Sequence, residues 1–92
     1  MEDIVPTEFQ LSQNYPNPFK EETTIKYCVP GKMEIRLEVF NSDGRKVKVL
    51  INDVKEAGTY KVDFNSNELV SGAYLYKLES TDFFETKKMI VL

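Results

Sequence analysis

The stretch that decides the fold is Gln13-Asn14-Tyr15-Pro16-Asn17-Pro18-Phe19. Each of its two prolines fixes φ at about −65° and removes a backbone donor, and each disfavours helical geometry in the residue before it. The stretch therefore predicts neither a helix nor an interior strand but an extended segment, which we call the proline crossing. Aromatic rings flank the prolines at Tyr15 and Phe19, and we expect both rings to fasten the segment onto an apolar core.

Short runs of alternating apolar and polar residues lie on both sides of the proline crossing. We predict strands over residues 9–12, 23–29, 33–39, 45–51, 60–64, 72–79 and 83–92. The clearest is the third, because its apolar side chains point one way while Glu34, Arg36 and Glu38 point the other. Turn residues separate the runs and no helical period is sustained. The sequence therefore predicts an all-β fold of about seven antiparallel strands packed as two sheets.

Two places along the chain depart from simple alternation. In the strand after the Asp43-Gly44 turn, Leu50 falls on the face opposite to Val49 and Ile51, and a β-bulge would reconcile this pattern. The polar residues 52–56 that follow predict a loop. Near the end of the chain Phe83 and Phe84 are adjacent, so they point to opposite faces of a strand and we expect one ring to be exposed.

Length and charge limit the classes of function. The 92 residues make one domain, which we divide into a short lead over residues 1–8 and a sandwich over residues 9–92. A net charge of −3 argues against nucleic acid as a partner. No apolar run is long enough to span a membrane, and the acidic start is not that of a secretory signal. We therefore expect either a cytoplasmic protein or, more in keeping with this start, a piece of a longer chain.

The sequence offers little catalytic or metal-binding chemistry. Cys28 is the only cysteine and there is no histidine, which excludes Cys/His zinc sites and nucleophile pairs with histidine. Several turn residues carry oxygens that suit Ca²⁺: Asn41, Asp43, Asp63, Asn65 and Asn67. Their spacing matches no compact calcium loop, so turn chemistry is the favoured interpretation. Acid/base pairs of Glu34 with Glu38 or of Asp63 with Glu68 are disfavoured, because the sequence shows no cleft or desolvating context for them and favours solvated charges. We predict no cofactor, no metal and no enzymatic activity.

Tyrosines on the predicted strands allow a second interpretation. Tyr60, Tyr74 and Tyr76 could form a carbohydrate-binding platform, as in β-sandwich binding modules. Their positions on the inward faces favour a core role instead.

Motifs in order along the chain resemble one family. They are Leu11–Phe19, Thr24–Tyr27, Leu37–Asn41, Gly58–Tyr60, Ser71–Tyr74, Tyr76–Leu78 and Lys87–Leu92. Together they resemble the type A C-terminal sorting domain of the type IX secretion system, over about residues 9 to 92. The chain departs from the family pattern at Lys20-Glu21, which replaces Asn-Pro, and at Cys28, which is unusual in its strand.

The resemblance implies an immunoglobulin-like sandwich, similar in fold to the immunoglobulin-like part of flagellar hook-capping proteins. It implies a domain at the end of a longer secreted precursor, whose distant signal peptide leads to the periplasm. The domain then directs the covalently linked upstream cargo through an outer-membrane translocon. In many members a sortase-like enzyme later removes the domain and joins the cargo to surface lipopolysaccharide. The implied location is secreted or at the cell surface.

The end of the last strand provides the candidate recognition residues for the translocon. They are Lys87, Lys88, Met89, Ile90, Val91 and Leu92, with Gly72 and Tyr74 from the preceding strand. We expect Lys88 to supply a charge contact and Met89 to Val91 to supply packing, with a partner strand pairing at this sheet edge. The alternative, which is compatible with recognition, is a last strand whose basic residues protect a sheet edge. Asn14 to Phe19 are interpreted as a structural motif, and a recognition epitope is the alternative.

A different class of function remains open beside sorting. The chain could be a non-catalytic immunoglobulin-like accessory or spacer module of a large surface enzyme, binding carbohydrate or protein. Removing a spacer would leave export intact, whereas removing a sorting domain would trap the cargo inside the cell. We expect a monomer or a weak dimer formed through edge strands.

Overall fold

Seven strands and no helix are found in a computed structural model that describes residues 6–67 and 69–92. The strands are β1 (Gln10–Leu11), β2 (Glu22–Val29), β3 (Met33–Asn41), β4 (Lys46–Lys55), β5 (Gly58–Asn65), β6 (Gly72–Glu79) and β7 (Phe84–Val91). They form a three-stranded sheet in the order β1-β2-β5 and a four-stranded sheet in the order β4-β3-β6-β7. Every strand pair is antiparallel. The predicted all-β, two-sheet sandwich is confirmed.

The core lies between the inner faces of the two sheets, as the alternation predicts. β2 buries Ile25, Tyr27 and Val29, while β3 and β6 bury their own alternate apolar side chains from the facing sheet. Tyr74 and Tyr76 are buried as predicted. Tyr60 is half-buried and stacks on Tyr27, with ring centroids 5.4 Å apart. These tyrosines therefore serve the core and do not form an exposed platform.

β4 is longer and more irregular than the sequence indicates. The predicted loop over residues 52–56 is wrong, because Asn52 to Lys55 continue the strand and pair with β3. Backbone hydrogen bonds to β3 hold these largely polar residues in extended geometry. The predicted bulge is confirmed at Leu50, which has no partner opposite it, and a second bulge lies at Val47. Both bulges lie on an edge strand, where such irregularities are common.

The proline crossing joins the two sheets at one side of the sandwich. At its start Tyr15 exchanges backbone hydrogen bonds of 3.0 Å with Thr24 of β2. At its end Phe19 forms a parallel bridge with Val91 of β7. The Phe19 ring is only 2% exposed and meets Phe64 edge-on, at a centroid distance of 6.2 Å. The crossing therefore closes one side of the core.

The prediction that Tyr15 anchors the crossing is wrong. Its side chain is 81% exposed, whereas the neighbouring Asn14 is 1% exposed. Successive side chains of an extended segment point to opposite sides, so burying the amide of Asn14 turns the Tyr15 ring outward. The prediction for Phe83 and Phe84 is confirmed, because Phe84 is 70% exposed while Phe83 stacks on Phe9.

Candidate functional site

The structure brings the candidate residues of β6 and β7 together at one end of the sandwich. Gly72 lies opposite Val91, and Tyr74 lies opposite Met89. The Tyr74 hydroxyl donates a hydrogen bond of 2.7 Å to the carbonyl of Val70, just before β6. The end of β7 and the start of β6 therefore form one continuous patch of sheet.

Only alternate side chains of this patch are available to a partner. Met89 and Val91 point into the core, with exposures of 0% and 3%. The direct packing role predicted for these two side chains is thus not available in the folded domain, because they already fill the core. Lys88, Ile90 and Leu92 have the opposite orientation, and Leu92 is 63% exposed.

The backbone edge of β7 is occupied by the proline crossing. The Gln13 side chain donates to the Lys88 carbonyl at 2.7 Å, and the Ile90 amide donates to Asn17 Oδ1 at 2.9 Å. The Phe19 amide donates to the Ile90 carbonyl at 3.0 Å, and the Leu92 amide donates to the Phe19 carbonyl at 2.9 Å. A partner strand that paired at this part of the edge would have to displace all four bonds. The predicted strand addition therefore does not fit residues 88–92 in this structure.

A buried polar network fixes the start of the crossing. The Asn14 side chain donates to Thr23 Oγ1 at 2.9 Å and to the Pro16 carbonyl at 3.2 Å. The Tyr76 hydroxyl accepts from the Asn14 amide at 2.8 Å and donates to the Ser12 carbonyl at 2.6 Å. Because prolines supply no backbone N–H, these side-chain bonds replace the ladder that an ordinary strand would make. The motif thus has an architectural role through its amides and Phe19.

Sequence analysis missed the roles of Gln13 and Asn17. Asn17 lies between the two prolines and Gln13 lies three residues before the first, and each side chain reaches the backbone of β7. A signal was present for Asn17, because an amide side chain next to donor-free prolines can replace a missing backbone bond. Their sequence separation from β7 gave no hint of which strand they would reach.

The other predicted polar sites have structural explanations. Asn41 Oδ1 accepts from the amides of Asp43 and Arg45, each at 3.0 Å, which confirms its turn role. Glu38 is 5% exposed and pairs with Lys46 Nζ at 2.9 Å. Glu34 lies four residues from Glu38 along one strand, about 13 Å away at the usual rise, so the two do not form an acid/base pair. No cluster of potential metal ligands occurs within residues 6–67 and 69–92.

Two core tyrosines predict a loss of stability in alkali. Burial, with smaller contributions from Tyr60 and Asp53, raises the pKa of Tyr27 to about 12. Burial also raises the pKa of Tyr76 to about 12, against the lowering effect of its bond from Asn14. An unfolded tyrosine titrates at about 10, so the unfolded chain releases these protons first. The stabilisation that comes from the raised pKa values is complete below about pH 10. It is lost as the pH rises through about 12, the pKa of both tyrosines in the folded state.

We expect the free energy of unfolding to fall by about 1 kcal/mol per pH unit for each tyrosine over this window. Urea unfolding followed by circular dichroism at pH 8 to 12 measures the slope. Tyr27→Phe removes one titrating group and should flatten the profile relative to the parent. An unchanged slope in that variant would contradict the assignment of the effect to Tyr27.

The start of β6 requires a glycine at position 72 because of its backbone conformation. Its φ of 148° lies in a region that L side chains rarely adopt, although a Cβ there would meet no neighbouring atom. Gly72→Ala should therefore destabilise the domain by about 1–3 kcal/mol through backbone strain alone. Gly31→Ala is the matched control, because its φ is not positive and its Cβ would make only an ordinary 3.6 Å contact with Met33. Thermal unfolding of both variants tests the difference, and equal melting temperatures would contradict it.

Comparison with known proteins identifies the family. None of the described residues forms a helix that is long and apolar enough to cross a membrane. Searches of curated proteins and of solved structures gave no significant match. Residues 13–92 match the family described as the secretion system C-terminal sorting domain. The match begins with the proline crossing and includes all of β7. The chain belongs to this family, whose domains are the sorting signals for type IX secretion and thereby send longer precursors out of the cell or to its surface.

Proposed function

We propose that this domain delivers an upstream cargo to an outer-membrane translocon, and that a sortase-like enzyme afterwards removes the domain and attaches the cargo to the surface. The observation that carries the proposal is the family match over residues 13–92, which includes both the proline crossing and the β7 end that it holds. We further propose residues 9–92 as the domain. Phe9 supports that boundary by stacking on Phe83 at 4.3 Å. Residues 1–5 of the lead lie outside the described residues.

The candidate residues take two kinds of role in this proposal. Lys88, Ile90 and Leu92 present their side chains to the translocon, because their orientation leaves them accessible. Met89 and Val91 act indirectly by holding β7 in the core. Lys87, half-buried and 3.4 Å from Glu85, lies on the same side of the strand as these core residues. Gly72 and Tyr74 position the neighbouring strand.

We also propose that the domain itself catalyses no reaction. The chain has no histidine, and its buried polar side chains are committed to structural bonds such as those of Asn14, Thr23 and Ser66. Catalysis of attachment then belongs to the processing enzyme. A monomeric state or a weak edge-strand dimer stays a prediction, which light scattering of the purified domain would test.

Secretion of a reporter fusion tests the sorting role. A host with a type IX system should export a periplasmically targeted reporter that carries the whole domain, and should retain the reporter that lacks residues 13–92. Lys88→Ala should reduce surface delivery, whereas Lys61→Ala should not, because Lys61 is exposed on β5 in the other sheet. Cell fractionation measures delivery, and circular dichroism confirms that both variants fold. Undiminished export without the domain would contradict the proposal and favour a spacer role.

A further inference from the structure

At the β7 end, a partner can contact only the outer face of the four-stranded sheet. The backbone edge at residues 88–92 is bonded to the proline crossing, and Met89 and Val91 are in the core. A protein that recognises this end must therefore read side chains on the face that points away from the core. That face continues from β7 across β6 to β3.

The strand register places an apolar strip across this face. Phe40 of β3 lies opposite Leu75 of β6, and Leu75 lies opposite Lys88 of β7. In the next row Ala73 lies opposite Ile90. Leu75 is 38% exposed, and the other three apolar residues are only half-buried. Ala73, Leu75 and Lys88 also line a shallow depression in this face, so the strip is both apolar and open.

Lysines surround the strip. Lys46 lies opposite Phe40 on β4, the Lys77 ammonium lies 5.4 Å from the centre of the Phe40 ring, and Lys88 borders Leu75. Glu38, the carboxylate between them on β3, is buried and neutralised by Lys46 at 2.9 Å. Lys77 also lies 3.6 Å from Glu79. This part of the face is therefore cationic on a chain whose net charge is −3.

Among the described residues, a further acidic side chain borders the same region, and an ion pair bounds it. Asp43, in the turn between β3 and β4, lines a neighbouring depression that shares Ala73. At the opposite end of the face Arg36 pairs with Glu79 at 2.8 Å. The cationic character thus belongs to the end of the face that adjoins the crossing.

We propose that this strip, formed by Phe40, Ala73, Leu75 and Ile90 with Lys46, Lys77 and Lys88 at its rim, is the docking surface for a protein of the secretion machinery. The chemistry that fits it is an apolar contact ringed by aspartate and glutamate side chains, because complementary charge steers association and apolar burial supplies affinity. An anionic membrane fits less well, since lipid-binding patches generally use about four to eight clustered cations. The proposal rests on the sorting function proposed above.

Substituting Leu75 by a negative or by a positive residue tests the docking surface. In the reporter fusion, Leu75→Glu should reduce surface delivery about tenfold or more, because it brings like charge against an acidic partner. Leu75→Lys removes the same apolar side chain but keeps the charge complementary, and should reduce delivery much less. Val54→Glu is the control. Val54 is 51% exposed on the same face but lies opposite Glu34, beyond the strip, and its variant should be delivered normally.

Three results would overturn the docking surface. Normal delivery of Leu75→Glu would exclude the strip, and equal loss in Leu75→Glu and Leu75→Lys would exclude an acidic partner. Co-sedimentation of the purified domain with phosphatidylglycerol vesicles, lost in Leu75→Glu, would assign the strip to membrane instead. If the fusion without residues 13–92 is still retained while Leu75→Glu is delivered, the sorting role stands and only the strip fails.

Circular dichroism and thermal unfolding are required for each variant. If Leu75→Glu does not fold, the pair Ala73→Glu and Ala73→Lys makes the same comparison one row away, opposite Ile90. The same difference between glutamate and lysine is expected there. Equal delivery by the two Ala73 variants would contradict the proposal.

Discussion

Phe19→Ala is expected to lower the free energy of unfolding by about 3–5 kcal/mol, the usual cost of truncating a buried phenylalanine. The ring is 2% exposed and packs against Phe64 where the proline crossing closes the core. Its loss leaves a cavity beneath the segment whose backbone holds Ile90 and Leu92. Small domains have about 5–15 kcal/mol of stability in total, so this one change removes a large share of it.

The matched control for Phe19→Ala lies in the same motif. Tyr15→Ala removes a ring of similar size that is 81% exposed, and it should change stability by no more than about 0.5 kcal/mol. Urea unfolding of the two variants and the parent, followed by circular dichroism, measures the difference. Equal destabilisation by both variants would show that the crossing is held by its prolines and amides, and not by the Phe19 ring.

Tyr76→Phe is expected to cost about 2–3 kcal/mol, although it removes a single oxygen atom. The hydroxyl accepts from the buried Asn14 amide at 2.8 Å and donates to the Ser12 carbonyl at 2.6 Å. Without that oxygen the buried Asn14 amide is left unsatisfied, which costs about 1–3 kcal/mol, and the partly buried bond to the Ser12 carbonyl is lost as well. The ring itself stays in place, so the loss reports the hydrogen bonds alone.

Tyr60→Phe is the control for the second prediction. Its hydroxyl donates to the Glu56 carbonyl at 2.7 Å in an exposed setting, where water can replace it, so the change should be about 0.5 kcal/mol or less. Hydrogen exchange offers a second measurement, because Tyr76→Phe should selectively weaken protection of the Asn14 amide. Retained protection in a variant of unchanged stability would contradict the role of the Tyr76 hydroxyl.

The strands that alternate regularly could be predicted from sequence, because burial of one face dictates period two. β3 and β6 fall where the alternation places them, and the bulge at Leu50 follows from a single break in the pattern. The extension of β4 through Asn52 to Lys55 could not be predicted in this way. Its polar residues lie on an edge strand, where pairing with β3 decides the structure and side-chain polarity carries little information.

The sequence placed the candidate residues on two consecutive strands, and the register brings Gly72 and Tyr74 beside Val91 and Met89. Their recognition by a translocon stays a prediction. The prolines of the crossing were visible in the sequence, but the sequence did not reveal that the crossing covers the β7 edge. That fact depends on tertiary contacts of Gln13 and Asn17 with residues more than 70 positions away, which local patterns do not encode.

The bonds between the proline crossing and β7 have a consequence for when the domain becomes recognisable. Gln13 and Lys88 are 75 positions apart, and Asn17 and Ile90 are 73 apart. Bringing together residues so far apart in sequence costs loop-closure entropy, and a chain that stops short of Ile90 cannot make these contacts. This end of the sandwich is therefore complete only after the chain has been synthesised through β7 and β7 has docked against the crossing. Truncation within β7 removes the closed end of the domain and not just one strand.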